Sequence, residues 1–222
     1  MKNTIIRRLT VGLLLTLSSS GMTHAFDRTE SREPCADYSA TRKPMFGDLH
    51  VHTSYSFDSY VSSQRNDPSA AYRYARGQAI TLSDADGQQT LRARIQRPLD
   101  FTAVTDHAEF LGPINLCTQD ASKLAYWFPV CIAGRSDWYI VQLLAARYWA
   151  TIGVVDDSAQ KAESMVCKMG DCDAAHREAW AGIRAAAEKH YDRSEECNFT
   201  TFIGYEYTDA PNYANLHLSL IH

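Results

Sequence analysis

Two histidines separated by one residue, His50 and His52, are the first residues of the chain whose types and spacing could do chemistry. They end a run of apolar residues that predicts a strand. Because side chains alternate along a strand, both imidazoles point to the same face. Such a pair can bind one divalent metal ion, for example zinc, iron or manganese. The pattern alone is a weak signal, since an exposed or hydrogen-bonded histidine pair explains it equally well.

Further histidines and carboxylates follow two other apolar runs. Asp106 and His107 end a second predicted strand, and Glu206 ends a third. We expect His217 in a loop after Glu206, and Asp58 in the loop that follows the first strand. Core packing is a poor explanation for ionisable groups at three strand ends. The sequence therefore predicts that these residues converge on one metal site.

The elements that must position these residues alternate between strands and helices. Three core strands, expected to be buried and parallel, are predicted at residues 46–52, 99–107 and 200–207. Helices are predicted at residues 67–77, 137–151 and 173–191, and a β-hairpin at residues 79–82 and 90–95. This order indicates an α/β fold, in which active sites gather at the carboxyl ends of the strands.

Three short motifs resemble the PHP (polymerase and histidinol phosphatase) superfamily. Residues 46–58, FGDLHVHTxYSxD, resemble its opening motif. Residues 104–107, VTDH, resemble the second motif, and residues 204–206, GYE, resemble the third. Over residues 47–59, 97–112 and 204–217 the chain looks closest to an exported PHP-like family of unknown function.

This resemblance implies a distorted, seven-stranded (βα) barrel with two or three divalent metal ions at its C-terminal face. The implied ligands are His50 and His52 for the first metal, Asp58 and His107 for the second, Glu206 as a bridge between two metals, and His217 for a third. Zinc, manganese and iron all suit these ligands. Asp48 and Asp106 are expected to hydrogen-bond the ligating imidazoles and orient them, with a simple loop or cap role as the alternative.

Phosphoester hydrolysis is the reaction that such a centre favours. Divalent ions lower the pKa of a bound water and hold the oxygens of a phosphoryl group. The chain has no G-x-S-x-G motif for a nucleophilic serine, and no glycine-rich phosphate loop. Two alternatives remain. One is a non-catalytic remnant or binding module with a partial metal site, and the other is a metal-dependent amidase or lactonase.

The length of the chain departs from the resemblance. Removing a 25-residue signal from 222 residues leaves fewer than the ~250 of a typical (βα) barrel. We therefore expect an incomplete barrel, the N-terminal part of a larger domain, with an inserted β-hairpin and a long helical insertion. In this interpretation an inactive truncated chain is one of the alternatives.

The N-terminus predicts export. Residues 1–25 combine early cations, a short apolar run and Thr23-His24-Ala25, which is typical of a cleaved signal peptide; an uncleaved membrane anchor is the alternative. An irregular arm, residues 26–43, precedes the domain at residues 44–222. No second apolar span follows, so we expect a periplasmic or secreted product with no stable membrane span.

Six cysteines in an exported chain favour disulfides, although they allow 15 pairings. We expect the local closures Cys117–Cys131 and Cys167–Cys172, which leave Cys35–Cys197 to tie the arm to the third strand. A cysteine zinc site is disfavoured because no C-x-x-C pair occurs. The net charge of -4 gives no indication of a nucleic-acid partner, so the expected partner is a small molecule.

Overall fold

The computed structural model describes residues 32, 34–39, 41–84, 88–153, 164–209 and 216–221. The predicted signal peptide lies outside the described residues. The strands are β1 (Gly47–Val51), β2 (Ile80–Ser83), β3 (Gln89–Ala93), β4 (Phe101–Val104), β5 (Thr200–Asp209) and β6 (Leu216–Ile221). The helices are α1 (Phe57–Val61), α2 (Pro68–Ala75), α3 (Leu111–Thr118), α4 (Pro129–Gly134), α5 (Tyr139–Gly153) and α6 (Cys172–His190), with 3-10 helices at Ala108–Phe110 and Leu124–Trp127.

The main sheet is mixed, with the strand order β1-β4-β5-β6. The three predicted core strands are parallel as expected: Phe101 of β4 pairs with Gly47 of β1 on one side and with Thr200 of β5 on the other. The fourth strand, β6, was not predicted and runs antiparallel to β5. β2 and β3 form a separate antiparallel hairpin, which confirms the hairpin prediction. The fold is therefore α/β, with an added antiparallel strand at one edge.

Side-chain caps begin two of the predicted helices, α2 and α6. The side chain of Asp67 accepts a hydrogen bond from the backbone N–H of Ala70 at 2.7 Å, which caps the start of α2. Gly77, with a φ of 77°, ends that helix in a conformation that suits glycine. Asp171 caps α6 through the N–H of Ala174 in the same way. The starts of α2 and α6 are thus each fixed by a side-chain cap.

The two largest hydrophobic clusters of the described residues hold most of the helices in place. Tyr72 of α2, Val104 of β4 and Phe199 form the first, beneath α2 and α6. Phe110 and Trp149 belong to the second, which joins α3, α4 and α5. The long connection between β4 and β5 is helical, as expected, and it has a core of its own.

The first strand is less buried than its sequence predicted. β1 is an edge strand, so one of its sides has no neighbouring strand among the described residues. Phe46 is 52% exposed and Leu49 is 38% exposed. The expectation of a buried strand at residues 46–52 is therefore wrong for its apolar side chains. An alternating apolar pattern specifies a sheet face but does not reveal whether anything covers it.

The three expected disulfides are present. Cys117–Cys131 and Cys167–Cys172 close local loops, and Cys35–Cys197 joins the N-terminal arm to the segment before β5. None of the described helices is long and apolar enough to cross a membrane.

Candidate metal centre

Four imidazoles surround one buried carboxylate, that of Glu206 on β5. Its Oε2 lies 2.7 Å from Nε2 of His52, 3.5 Å from Nε2 of His107 and 3.9 Å from Nε2 of His50. Its other oxygen, Oε1, lies 2.5 Å from Nδ1 of His217. The residues come from β1, from the end of β4, from β5 and from β6. The predicted convergence of the four histidines and Glu206 is therefore seen.

The parallel strands explain most of this convergence. β1 and β4 end on the same side of the sheet, beside Glu206 of β5, and there His107 forms an isolated parallel bridge with Glu206. The backbone N–H of Glu206 donates to the carbonyl of Asp106 at 3.0 Å, which continues the ladder beyond the end of β4. Backbone pairing thus places His107 and Glu206 side by side.

His217 reaches the same place by a different route. The sequence predicted a loop position, but His217 lies in β6 and pairs with Thr208 of β5. β5 continues past Glu206 to Asp209, so the chain can return beside it as an antiparallel strand. The loop assignment is wrong, whereas the expected proximity of His217 to Glu206 is correct.

Asp58 completes a second group of possible ligands. Its Oδ2 lies 2.9 Å from Nδ1 of His52 and 3.6 Å from Nε2 of His107. Its Oδ1 accepts a hydrogen bond from the hydroxyl of Ser56 at 2.7 Å. Asp58 stands in the first turn of α1, a short helix within the segment that was predicted to be a loop. Two sets of donor atoms result, one from His50, His52 and Glu206, and the other from His52, Asp58 and His107.

A metal ion fits this arrangement for a reason that the protein atoms show. Nε2 of His52 and Oε2 of Glu206 are both buried, and neither has a hydrogen-bond partner of acceptable geometry among the described residues. Buried polar atoms without a partner are costly, and most have one in folded proteins. The two atoms lie 2.7 Å apart and face the same space. A divalent cation between them would give both a partner and would balance the buried charge of Glu206.

The outward-facing nitrogens of two imidazoles are held by other side chains. Nδ1 of His50 lies 3.0 Å from the hydroxyl of Ser219. Nδ1 of His107 lies 3.0 Å from Oε1 of Glu109 and 2.9 Å from the hydroxyl of Thr208. These contacts aim Nε2 of each ring at Glu206, as is typical of ligating histidines. Glu109 was missed in the sequence, where only its place two residues after His107 could have indicated a role.

The carboxylates hold protons on the imidazoles of the metal-free site. Burial alone lowers the pKa of His107, but Asp58 and Glu109 raise it to about 10. Burial also opposes protonation of His52, while Asp58 raises the pKa of that imidazole above its usual range. For Asp58 burial acts in the opposite sense, and hydrogen bonds from His107, His52 and Ser56 hold the pKa of its carboxyl well below the usual range. Metal binding at this site must therefore displace protons.

Asp106 is buried beside the site, but it binds the backbone loop. Its Oδ1 accepts from the backbone N–H of Thr53 at 2.5 Å, and its Oδ2 accepts from the Thr53 hydroxyl at 2.8 Å. Complete burial raises the pKa of Asp106 to about 6, against the effect of these bonds. The contacts match the alternative loop role: Asp106 fixes the turn that follows His52 and bonds Thr53 instead of an imidazole.

Asp48 faces away from the metal centre. Asp48 pairs with Thr102, and Val51 pairs with Val104. Between these two pairs β4 advances by two residues and β1 by three, so β1 contains one extra residue, a β-bulge. The extra residue places Asp48 with Val51 and Thr102 on the wall of a cavity beside β1. Its Oδ1 accepts from the backbone N–H of His50 at 3.0 Å. Asp48 was expected to orient an imidazole, but its side chain instead contacts the backbone of His50.

Comparison with known proteins adds a family but no activity. The profile of a family described as "Protein of unknown function (DUF3604)" matches residues 39–222. The searches of curated proteins and of solved structures gave no match. What the site can do must therefore be inferred from its own geometry.

Proposed function

We propose that this chain, which belongs to the DUF3604 family of proteins of unknown function, is a metal-dependent hydrolase whose substrate is a phosphoester. The observation that carries the proposal is the convergence of four imidazoles on Glu206, with Asp58 beside them. Two buried atoms without a hydrogen-bond partner among the described residues, Nε2 of His52 and Oε2 of Glu206, support a metal ion at this position.

A PHP-type barrel is the architecture that we propose for the domain to which these strands belong. The parallel order of β1, β4 and β5 supports it, as does the position of the ionisable residues at the ends of these strands. The three motifs that resemble the PHP superfamily contribute His50, His52, Asp58, His107 and Glu206, all of which lie in the cluster.

The ligands of the cluster fall into two sets in this proposal. His50, His52 and Glu206 would hold one divalent ion, and His52, Asp58 and His107 would hold a second. A bound ion supplies a water of lowered pKa and stabilises negative charge on the phosphoryl oxygens. The side chains of His50 and His217 are 56% and 46% exposed, so the substrate approaches from their side of the cluster. The buried side, with His107 and Glu206, keeps the ligand geometry fixed.

Export to an oxidising compartment forms part of the proposal. All six cysteines are paired in three disulfides, which persist in periplasmic and extracellular proteins and are rare in the cytosol. The apolar, cleavable N-terminus that the sequence predicts agrees with this location.

The test is metal analysis of the purified protein together with assays on 4-nitrophenyl phosphate and bis(4-nitrophenyl) phosphate. We expect turnover with Mn²⁺ or Zn²⁺, loss of turnover with a chelator, and loss in His50→Ala. The control is His176→Ala, which removes a histidine of α6 outside the cluster. Turnover that survives both the chelator and His50→Ala would refute the hydrolase proposal. Metal uptake without turnover would indicate a binding module. Turnover of amides or lactones alone would indicate a metal-dependent amidase or lactonase.

A further inference from the structure

A cavity of about 460 Å³ lies beside β1, between α2 and the β2–β3 hairpin. Most of its wall is apolar and comes from Val51, Ala71, Tyr74, Ile80, Leu82 and Leu99. Its volume is within the ~300–1,000 Å³ of pockets that bind small molecules. The hairpin is not part of the main sheet. Forming one wall of this cavity gives the hairpin a role that the rest of the fold does not explain.

The polar end of the cavity is shared with the metal centre. His52 and Thr53 line it where β1 ends, and Asp48 lines it below them. His52 is also the residue common to both sets of metal-binding atoms. The cavity therefore adjoins the residue whose imidazole approaches Glu206. Arg97 adds one cation to the wall, with its guanidinium 4.6 Å from the centre of the Phe46 ring.

We propose that this cavity binds the apolar organic group of the substrate, so that the phosphoester belongs to an aryl or branched alkyl alcohol. The inference rests on the proposed function, because it needs the reacting group to lie at the metal centre next to His52. An apolar group gains free energy when these walls take it out of water. A sugar would leave most of its hydroxyls without partners against the same walls, which is costly.

The experiment compares phenylphosphonate with methylphosphonate, whose P–C bonds resist hydrolysis. Both present the same phosphonate to the Mn²⁺-loaded protein, so their affinities, measured by calorimetry, differ only through the organic group. We expect phenylphosphonate to bind at least about tenfold more tightly, the effect of burying one ring. Ala71→Phe fills the cavity and should bring the ratio near one. Ala150→Phe, the same change at an exposed position on α5, should keep it.

Two further measurements separate this inference from the proposed function. Leu82→Trp fills the cavity from the hairpin and leaves α2 intact, so it replaces Ala71→Phe if that variant unfolds. The neutral aryl alcohol 2-naphthol, followed by its fluorescence in metal-free protein, tests the cavity without a phosphoryl group. Binding of 2-naphthol that the filled variants lose, with no phosphonate binding, would support the cavity and count against the phosphoesterase. A ratio near one in the unmodified protein, or 2-naphthol binding that the filled variants retain, would overturn the inference.

Discussion

Replacing Glu109 with Gln should change how the affinity for metal depends on pH. Oε1 of Glu109 lies 3.0 Å from Nδ1 of His107, whose Nε2 faces Asp58 and Glu206 at 3.6 and 3.5 Å. Only the neutral imidazole can ligate a metal ion, so the ion competes with a proton. Burial disfavours that proton, but Asp58 and Glu109 outweigh burial and raise the pKa of His107 to about 10.

The size of the effect follows from this pKa. At pH 7 a group with a pKa of about 10 is neutral in roughly one molecule in a thousand, so proton competition weakens binding about 1,000-fold. From the His107 proton alone, the apparent affinity of the wild type should rise about tenfold per pH unit up to about pH 10. Glu109→Gln removes one of the two carboxylates, so its curve should level off at a lower pH. At pH 10, where competition has ended, the variant should bind about 10- to 100-fold more weakly because the imidazole has lost its anchor.

The assay is a competition titration of Mn²⁺ or Zn²⁺ against a fluorescent chelator between pH 6 and pH 10. The gap between wild type and Glu109→Gln should be widest at high pH and should narrow as the pH falls. Glu178→Gln is the matched control, because its carboxylate is exposed on α6 outside the cluster. Parallel curves for wild type and Glu109→Gln at every pH would refute the reasoning, because Glu109 would then not govern the His107 proton.

Three further predictions concern metal content and stability. His52→Ala should abolish both metal sites, whereas His50→Ala should spare the second, as metal analysis after dialysis will show; equal losses would contradict the shared role of His52. The Asp58–His107 pair should stabilise the metal-free protein most between about pH 4 and 6.5. The contribution of this pair to stability falls at lower pH, as the pH approaches the depressed pKa of Asp58. It also falls as the pH rises towards about 10, through the raised pKa of His107. Urea unfolding in the presence of a chelator tests this. Replacing Cys35 and Cys197 by Ala should lower the free energy of unfolding by about 5 kcal/mol, and replacing Cys167 and Cys172 by about 2 kcal/mol, because the bridged residues are 162 and 5 apart. Equal losses in denaturant unfolding would rule out the chain-entropy explanation.

The sequence was sufficient to find most of the candidate site. His50, His52, His107 and Glu206 each follow an apolar run, and the carboxyl ends of parallel strands share one edge of a sheet. That rule needs only the identity and direction of the strands. It therefore predicts convergence without knowledge of the register between them.

Features that depend on register or on the sheet edge were beyond the sequence. His217 enters the site through an antiparallel pairing with Thr208, and no local signal specified that β5 would continue past Glu206. The orientation of Asp48 depends on one extra residue in β1, and a single-residue shift moves a side chain to the opposite face. The exposure of Leu49 depends on what lies beside β1, which is a property of the tertiary structure.

The bulge in β1 gives one short strand two different surfaces. In a regular strand Asp48, His50 and His52 would share a face, which would place another carboxylate beside Glu206. The extra residue turns Asp48 to the cavity and leaves His50 and His52 on Glu206. Since β1 is an edge strand, its bulge disrupts pairing with only one neighbour, β4, among the described strands. The bulge thus gives β1 one face towards the metal centre and one towards the proposed substrate cavity, and both adjoin the same residue, His52.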